Sequence, residues 1–149
     1  MRYFWLGIVF IVGFIVPAQA AMNARMRNFV INPLYSSLIN FFIGTVAGLL
    51  VTSITVWFGQ PGNWKGSLNA PWWAWCGGLI GATFVTVAVL SVPKIGATNF
   101  SVAVIAGQLI GAILMDQYGL LNLPQHSATP PRLLGAGLLL IGVWLVQRG

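Results

Sequence analysis

The chain has 149 residues, of which 58% are apolar and 5% charged, against roughly 45–50% and 25% in soluble domains. That balance excludes an ordinary soluble domain and fits a chain embedded in a lipid bilayer, because five spans of about 20 residues would occupy about 100 positions. Seven Lys or Arg against one Asp give a net charge of +6, but the cations do not form the cluster that nucleic acid requires.

Arg2, Arg25, Arg27, Lys65, Lys94, Arg132 and Arg148 each flank an apolar run, where a basic head reaches water or headgroups while its stem stays in hydrocarbon. Cys76 is the one cysteine, which leaves no intrachain disulfide and no multi-cysteine metal site. No metal or cofactor is expected.

The pattern predicts an all-α, polytopic membrane protein with a single integral domain over residues 1–149. Its five helices are expected at about 3–22, 33–58, 72–92, 97–115 and 131–147. The first run begins with Arg2 and contains Ala18-Gln19-Ala20, which imitates a secretory signal peptide. The further spans downstream assign it instead to a retained helix. Pro17 is expected to kink that helix, since it cannot donate to the carbonyl of Gly13.

The second run stops at Gly59-Gln60-Pro61-Gly62, a turn-forming sequence. Pro71-Trp72-Trp73-Ala74-Trp75 opens the third, placing indoles where a membrane interface would hold them. Pro93-Lys94-Ile95-Gly96 makes a tight connection to the fourth, which ends at Asp116. A longer Pro-containing loop with His126 leads to the fifth, flanked by Arg132 and Arg148.

Five spans put the termini on opposite faces. Arg2, Lys65 and Arg132 then give three basic residues on one side, and Arg25, Arg27, Lys94 and Arg148 four on the other. Short-loop Lys and Arg set orientation, so this split gives little instruction. The slight excess favours a cytoplasmic C-terminus, while near balance favours copies inserted both ways and paired antiparallel, an inverted repeat of two chains.

Small residues let helices approach closely in lipid. Gly44 and Gly48, Gly77 and Gly81, and Ala103, Gly107 and Gly111 recur at four-residue spacing and are expected at helix contacts. Polar residues at membrane depth must find partners. Gln19 and Asn23 share one face of the first helix; Ser37, Asn40, Gly44 and Gly48 form a polar or small stripe on the second. Thr83 and Thr86 lie one turn apart on the third, and Ser101 and Gln108 share a face of the fourth.

Gln19, Asn23, Asn40, Thr83 and Gln108 are therefore the expected substrate pathway. Asp116, the only acid, is the candidate gate, with Arg132 as a basic partner. No acid stands mid-span to exchange a proton for a cation. Paired carboxylates, HExxH, GxSxG and a phosphate-binding glycine loop are all missing, so the chain does not read as an enzyme.

Pro17-Ala18-Gln19-Ala20-Ala21-Met22-Asn23-Ala24-Arg25, Asn40-Phe41-Phe42-Ile43-Gly44-Thr45 and Pro71-Trp72-Trp73-Ala74-Trp75-Cys76-Gly77-Gly78-Leu79-Ile80-Gly81 resemble the YdcZ-type inner-membrane exporters of bacteria. So do Ala106-Gly107-Gln108-Leu109, Asp116-Gln117-Tyr118-Gly119 and Arg132-Leu133-Leu134-Gly135, and the resemblance runs in order over nearly the whole chain. It implies the drug/metabolite transporter superfamily, whose ten-helix members consist of two inverted five-helix halves. One chain is similar to one half. The implied assembly is an antiparallel homodimer, or a heterodimer with an oppositely oriented relative, that exports a small solute by alternating access between the halves.

Small multidrug resistance proteins, distant relatives in that superfamily, use a glutamate in their first helix. Gln19 and Asn23 stand in the comparable region here, which weighs against proton-coupled export of cations. The alternative function is a non-transporting subunit packed beside a larger membrane complex.

Overall fold

The computed structural model describes Met1–Arg148. Gly149 and the side chain of Arg2, one of the basic flanks counted above, lie outside the described residues. Four long helices dominate: α1 (Arg2–Val30), α2 (Pro33–Trp57), α3 (Cys76–Tyr118) and α4 (Pro130–Arg148). All four are long and apolar enough to cross a membrane, and no strand occurs among the described residues. The protein is an all-α membrane protein.

The first helix runs eight residues beyond the expected end at Met22, through Asn23, Arg25 and Arg27 to Val30. Ala, Met and Arg are good helix formers, and the first strong breaker is the Asn32-Pro33 pair, where proline disfavours helical geometry at the preceding residue. Asn32 then caps α2: its side chain accepts from the Leu34 N–H at 2.9 Å, and Pro33 takes the first helical position, where its missing N–H is no loss. Between the helices, Ile31 adopts φ 65°, ψ −42°, and the Asn32 N–H bonds to the Val30 carbonyl at 2.6 Å. This is a γ-turn with positive φ at its centre, a rare and strained conformation.

Pro17 lies inside α1, which remains one continuous helix through it. The Pro71 to Trp75 entry forms a short 3-10 turn over Trp72–Trp75 that runs directly into α3. A helix of the 43 residues of α3 would extend about 65 Å, roughly twice the hydrocarbon thickness. It is not regular throughout: Gly96 takes φ 81°, ψ 157°, a region open essentially to glycine alone. The expected four-residue connection is thus reduced to one non-helical residue, and Pro93 and Lys94 stay in the helix. Arms 76–95 and 97–118 are each about one span long.

The chain divides into two compact units, residues 1–94 and 95–149. In the first, the buried positions are small: Ala20 and Ala24 on α1, Ser36 and Ser37 on α2, and Val85, Ala88, Val89 and Val92 on the first arm of α3. Small residues are what close helix approach in lipid requires. Large apolar side chains such as Phe10, Phe14, Leu49 and Leu50 point outward, as in a protein whose solvent is hydrocarbon.

Of the glycines expected at helix contacts, Gly81 faces the Phe41 ring, 3.9 Å from where a Cβ would stand. Gly44, Gly48, Gly77, Gly107 and Gly111 have nothing within 4 Å of that point. Their faces are open in the single chain.

In the second unit Phe100 and Ala106 are buried. At the end of α4 the Arg148 guanidinium lies over the Trp144 ring, 3.9 Å from its centroid, and in the first unit Arg25 lies 5.9 Å from that of Phe29. Basic heads at helix ends thus rest on aromatic faces, a geometry worth about 0.5–1 kcal/mol at exposed sites.

Candidate solute-binding site

Within the first unit, three carboxamides from two helices meet. The Asn40 Oδ1 on α2 accepts from the Gln19 Nε2 at 3.3 Å and from the Asn23 Nδ2 at 3.2 Å, both on α1. Four-residue spacing puts Gln19 and Asn23 on one face, and the short Ile31-Asn32 turn returns the chain so that Asn40 stands opposite them. Asn23 lies seven residues before the end of α1 and Asn40 seven after the start of α2, so this pair is about 10 Å from the turn, with Gln19 roughly 16 Å from it.

Below the amides a second polar stitch joins the helices. Ser36, 1% exposed, donates to the Asn23 backbone carbonyl at 2.6 Å. Ser37 donates to the Pro33 carbonyl at 3.2 Å and accepts from the Thr86 hydroxyl at 3.1 Å, which ties α2 to the first arm of α3. Both serines are buried and commit their single hydroxyl hydrogen to these bonds. Ser36 has no prominence in the sequence pattern beyond standing four residues before Asn40, which places both on one face of α2.

A recess of about 10 Å³ opens between Gln19 and Asn23 and the apolar side chains of Val16, Ala20, Phe84, Val85 and Ala88. That is room for about one water. Its wall is hydrocarbon except for the two amides, and contains no ionisable side chain.

The remaining expected pathway residues do not join this cluster through hydrogen bonds. Thr83 is exposed, and its hydroxyl bonds back to the Leu79 carbonyl of its own helix at 2.9 Å; Thr86, one turn on, carries the bond to α2 instead. Pro17 lies two residues before Gln19 and is half-buried. Gln108 belongs to the second unit and is exposed.

Asp116 also lies in the second unit, near the end of α3, where its carboxylate forms an ion pair with Arg132 on α4. The segment between them is tied down at several points. The Asp116 carbonyl accepts from the His126 N–H at 2.8 Å, the Gln117 side-chain oxygen from the Ala128 N–H at 2.7 Å, and the Gln117 carbonyl from the Gln125 Nε2 at 2.7 Å. Asp116 and Gln117 thus close the 119–129 loop onto the helix end. A carboxylate at a helix C-terminus opposes the helix dipole, and Arg132 offsets that here.

Gln19 and Asn23 are thus the polar groups in the wall of the recess in the first unit, and Asn40 pairs with both. The family described as "Putative inner membrane exporter, YdcZ" matches residues 4–145. The chain belongs to the YdcZ family. It is also 30% identical over 113 residues to the inner membrane protein YdcZ of Escherichia coli (strain K12), an alignment that covers 74% of this chain and 75% of that protein. No solved structure matches. YdcZ-family membership and the apolar helices together identify an inner-membrane protein.

Proposed function

We propose that the protein exports a small solute across the inner membrane by alternating access, as an antiparallel assembly of two five-span halves. The observation that carries this reading is the Gln19–Asn23–Asn40 cluster, three paired amides of which Gln19 and Asn23 also border a recess otherwise walled by apolar side chains. Structural hydrogen bonding alone would be served by the Ser36, Ser37 and Thr86 stitch nearby. The Gly96 break supports counting α3 as two spans, and five spans with basic residues split three to four support insertion in both orientations. The open faces at Gly44, Gly48, Gly77, Gly107 and Gly111 offer contact surfaces for a second copy. Asp116 and Arg132 are the proposed gate, since their ion pair is one of the ties that hold the 119–129 loop to the end of α3.

The test is counterflow in vesicles containing the purified protein, with a panel of cationic, anionic and neutral solutes. Gln19→Leu and Gln108→Leu should each abolish the flux seen with the natural sequence while leaving membrane insertion intact. Normal flux in both variants would remove the pathway assignment.

The same open glycine faces favour one other reading, a non-transporting subunit that packs beside a larger complex. Absence of counterflow across the whole panel, with co-purification of a larger membrane protein, would select it.

A further inference from the structure

The amide cluster has a property that its hydrogen-bond count conceals. A carboxamide is donor and acceptor at once, and Asn40 uses only its oxygen, for both bonds. Its NH2 group and the carbonyl oxygens of Gln19 and Asn23 make no hydrogen bond among the described residues. Now turn all three amide planes by 180°. The Asn40 NH2 carries two hydrogens, and it then donates one to Gln19 and one to Asn23. Both bonds survive, and no charge moves.

Terminal amide torsions are broad and roughly two-fold, so both arrangements are open to these side chains, and they differ in what they present outward. In one, Gln19 and Asn23 each offer a carbonyl oxygen and one spare N–H beside the recess; in the other each offers a whole NH2 group and only a remaining lone pair.

Charge is handled differently. The recess wall holds no ionisable group. On the three helices packed here, the titratable side chains are Tyr3, Arg25 and Arg27 on α1, Tyr35 on α2, and Cys76 and Lys94 on the first arm of α3, besides Arg2; none hydrogen-bonds to the amides among the described residues. An ion without a counter-charge at such a place loses several kcal/mol of hydration, whereas an uncharged solute exchanges hydrogen bonds with the amides at little net cost.

We infer that Gln19, Asn23 and Asn40 form a reversible donor–acceptor element that binds an uncharged solute able both to donate and to accept hydrogen bonds, of the carboxamide or urea class, and rejects its charged analogues. This rests on the transporter reading.

The experiment is vesicle counterflow at pH 8 with matched probes: nicotinamide and urea as neutral solutes, nicotinate as the anion and 1-methylnicotinamide as the cation. The natural protein should carry the neutral probes at least tenfold faster than either ion. Asn40→Leu, which removes the shared partner, should lower neutral flux at least tenfold. Asn40→Asp is the sharper variant, because a carboxylate still accepts from Gln19 and Asn23 but cannot donate after inversion and adds a negative charge. It should move the cation-to-neutral ratio at least fivefold toward the cation. Unchanged helix content and elution volume show that each variant is folded.

Equal transport of charged and neutral probes, or an unchanged ratio in Asn40→Asp, overturns the inference. If other panel solutes move and the neutral amides do not, the inference falls and the transporter reading stands. If no solute in the panel moves, both fall.

Discussion

Ser36 and Ile31 make opposite contributions within six residues of chain. The Ser36 hydroxyl is almost fully buried and closes on the Asn23 carbonyl at 2.6 Å, so Ser36→Ala should cost about 1 kcal/mol, within the range of interhelical bonds in membranes. Denaturation in mixed micelles would read it. A Ser37→Ala and Thr86→Val cycle should give a coupling of about 0.6 kcal/mol, because the two hydroxyls bond each other. Ile31 stands at φ 65°, where a branched side chain stores about 1–3 kcal/mol of strain. Ile31→Gly releases that strain while adding about 0.5–1 kcal/mol of chain entropy to the unfolded state, so a net gain of about 0–2.5 kcal/mol is expected in the same denaturation measurement.

Among the helices, α3 is distinctive because one residue interrupts it. At φ 81°, ψ 157° any side chain is strained, so Gly96→Ala should lower stability by about 2 kcal/mol. Gly48→Ala meets no neighbour in the chain and should leave a monomer's stability unchanged or slightly raised, while weakening self-association if that face is the contact; analytical ultracentrifugation in detergent separates the two effects. The positions of the long apolar runs were legible because hydrophobic length is set by the bilayer and needs no tertiary information. The one-residue break was not: Pro93 and Gly96 suggest a turn, but which residue absorbs it depends on backbone angles that composition does not encode. The amide cluster was legible in part. Spacing places Gln19 beside Asn23, yet the approach of Asn40 depends on the turn at Ile31, and the choice of Thr86 over Thr83 depends on the facing direction of α3 toward Ser37.

For the whole chain, orientation is governed by few charges. Arg25→Ala with Arg27→Ala removes two of the four basic residues assigned to one side, and the proportion of chains with a cytoplasmic C-terminus should fall; paired reporters active in the cytoplasm or the periplasm, fused in turn to the C-terminus, would measure it. Asp116→Asn should change global stability by less than about 1 kcal/mol, because the Asp116 and Arg132 side chains are 28% and 43% exposed and such pairs are screened, but it should speed amide exchange across 119–129.

The polar bonds also have an order in time. Gln19, Asn23, Asn40 and Ser36 all lie on α1 and α2, so every one of their mutual bonds can form before the ribosome has made α3. The two helices can therefore leave the translocon together, with their amides already matched, and the third joins through Thr86. A chain released after residue 70 would already contain both partners of every one of these α1–α2 bonds, which makes the first hairpin, not the single helix, the natural unit of insertion.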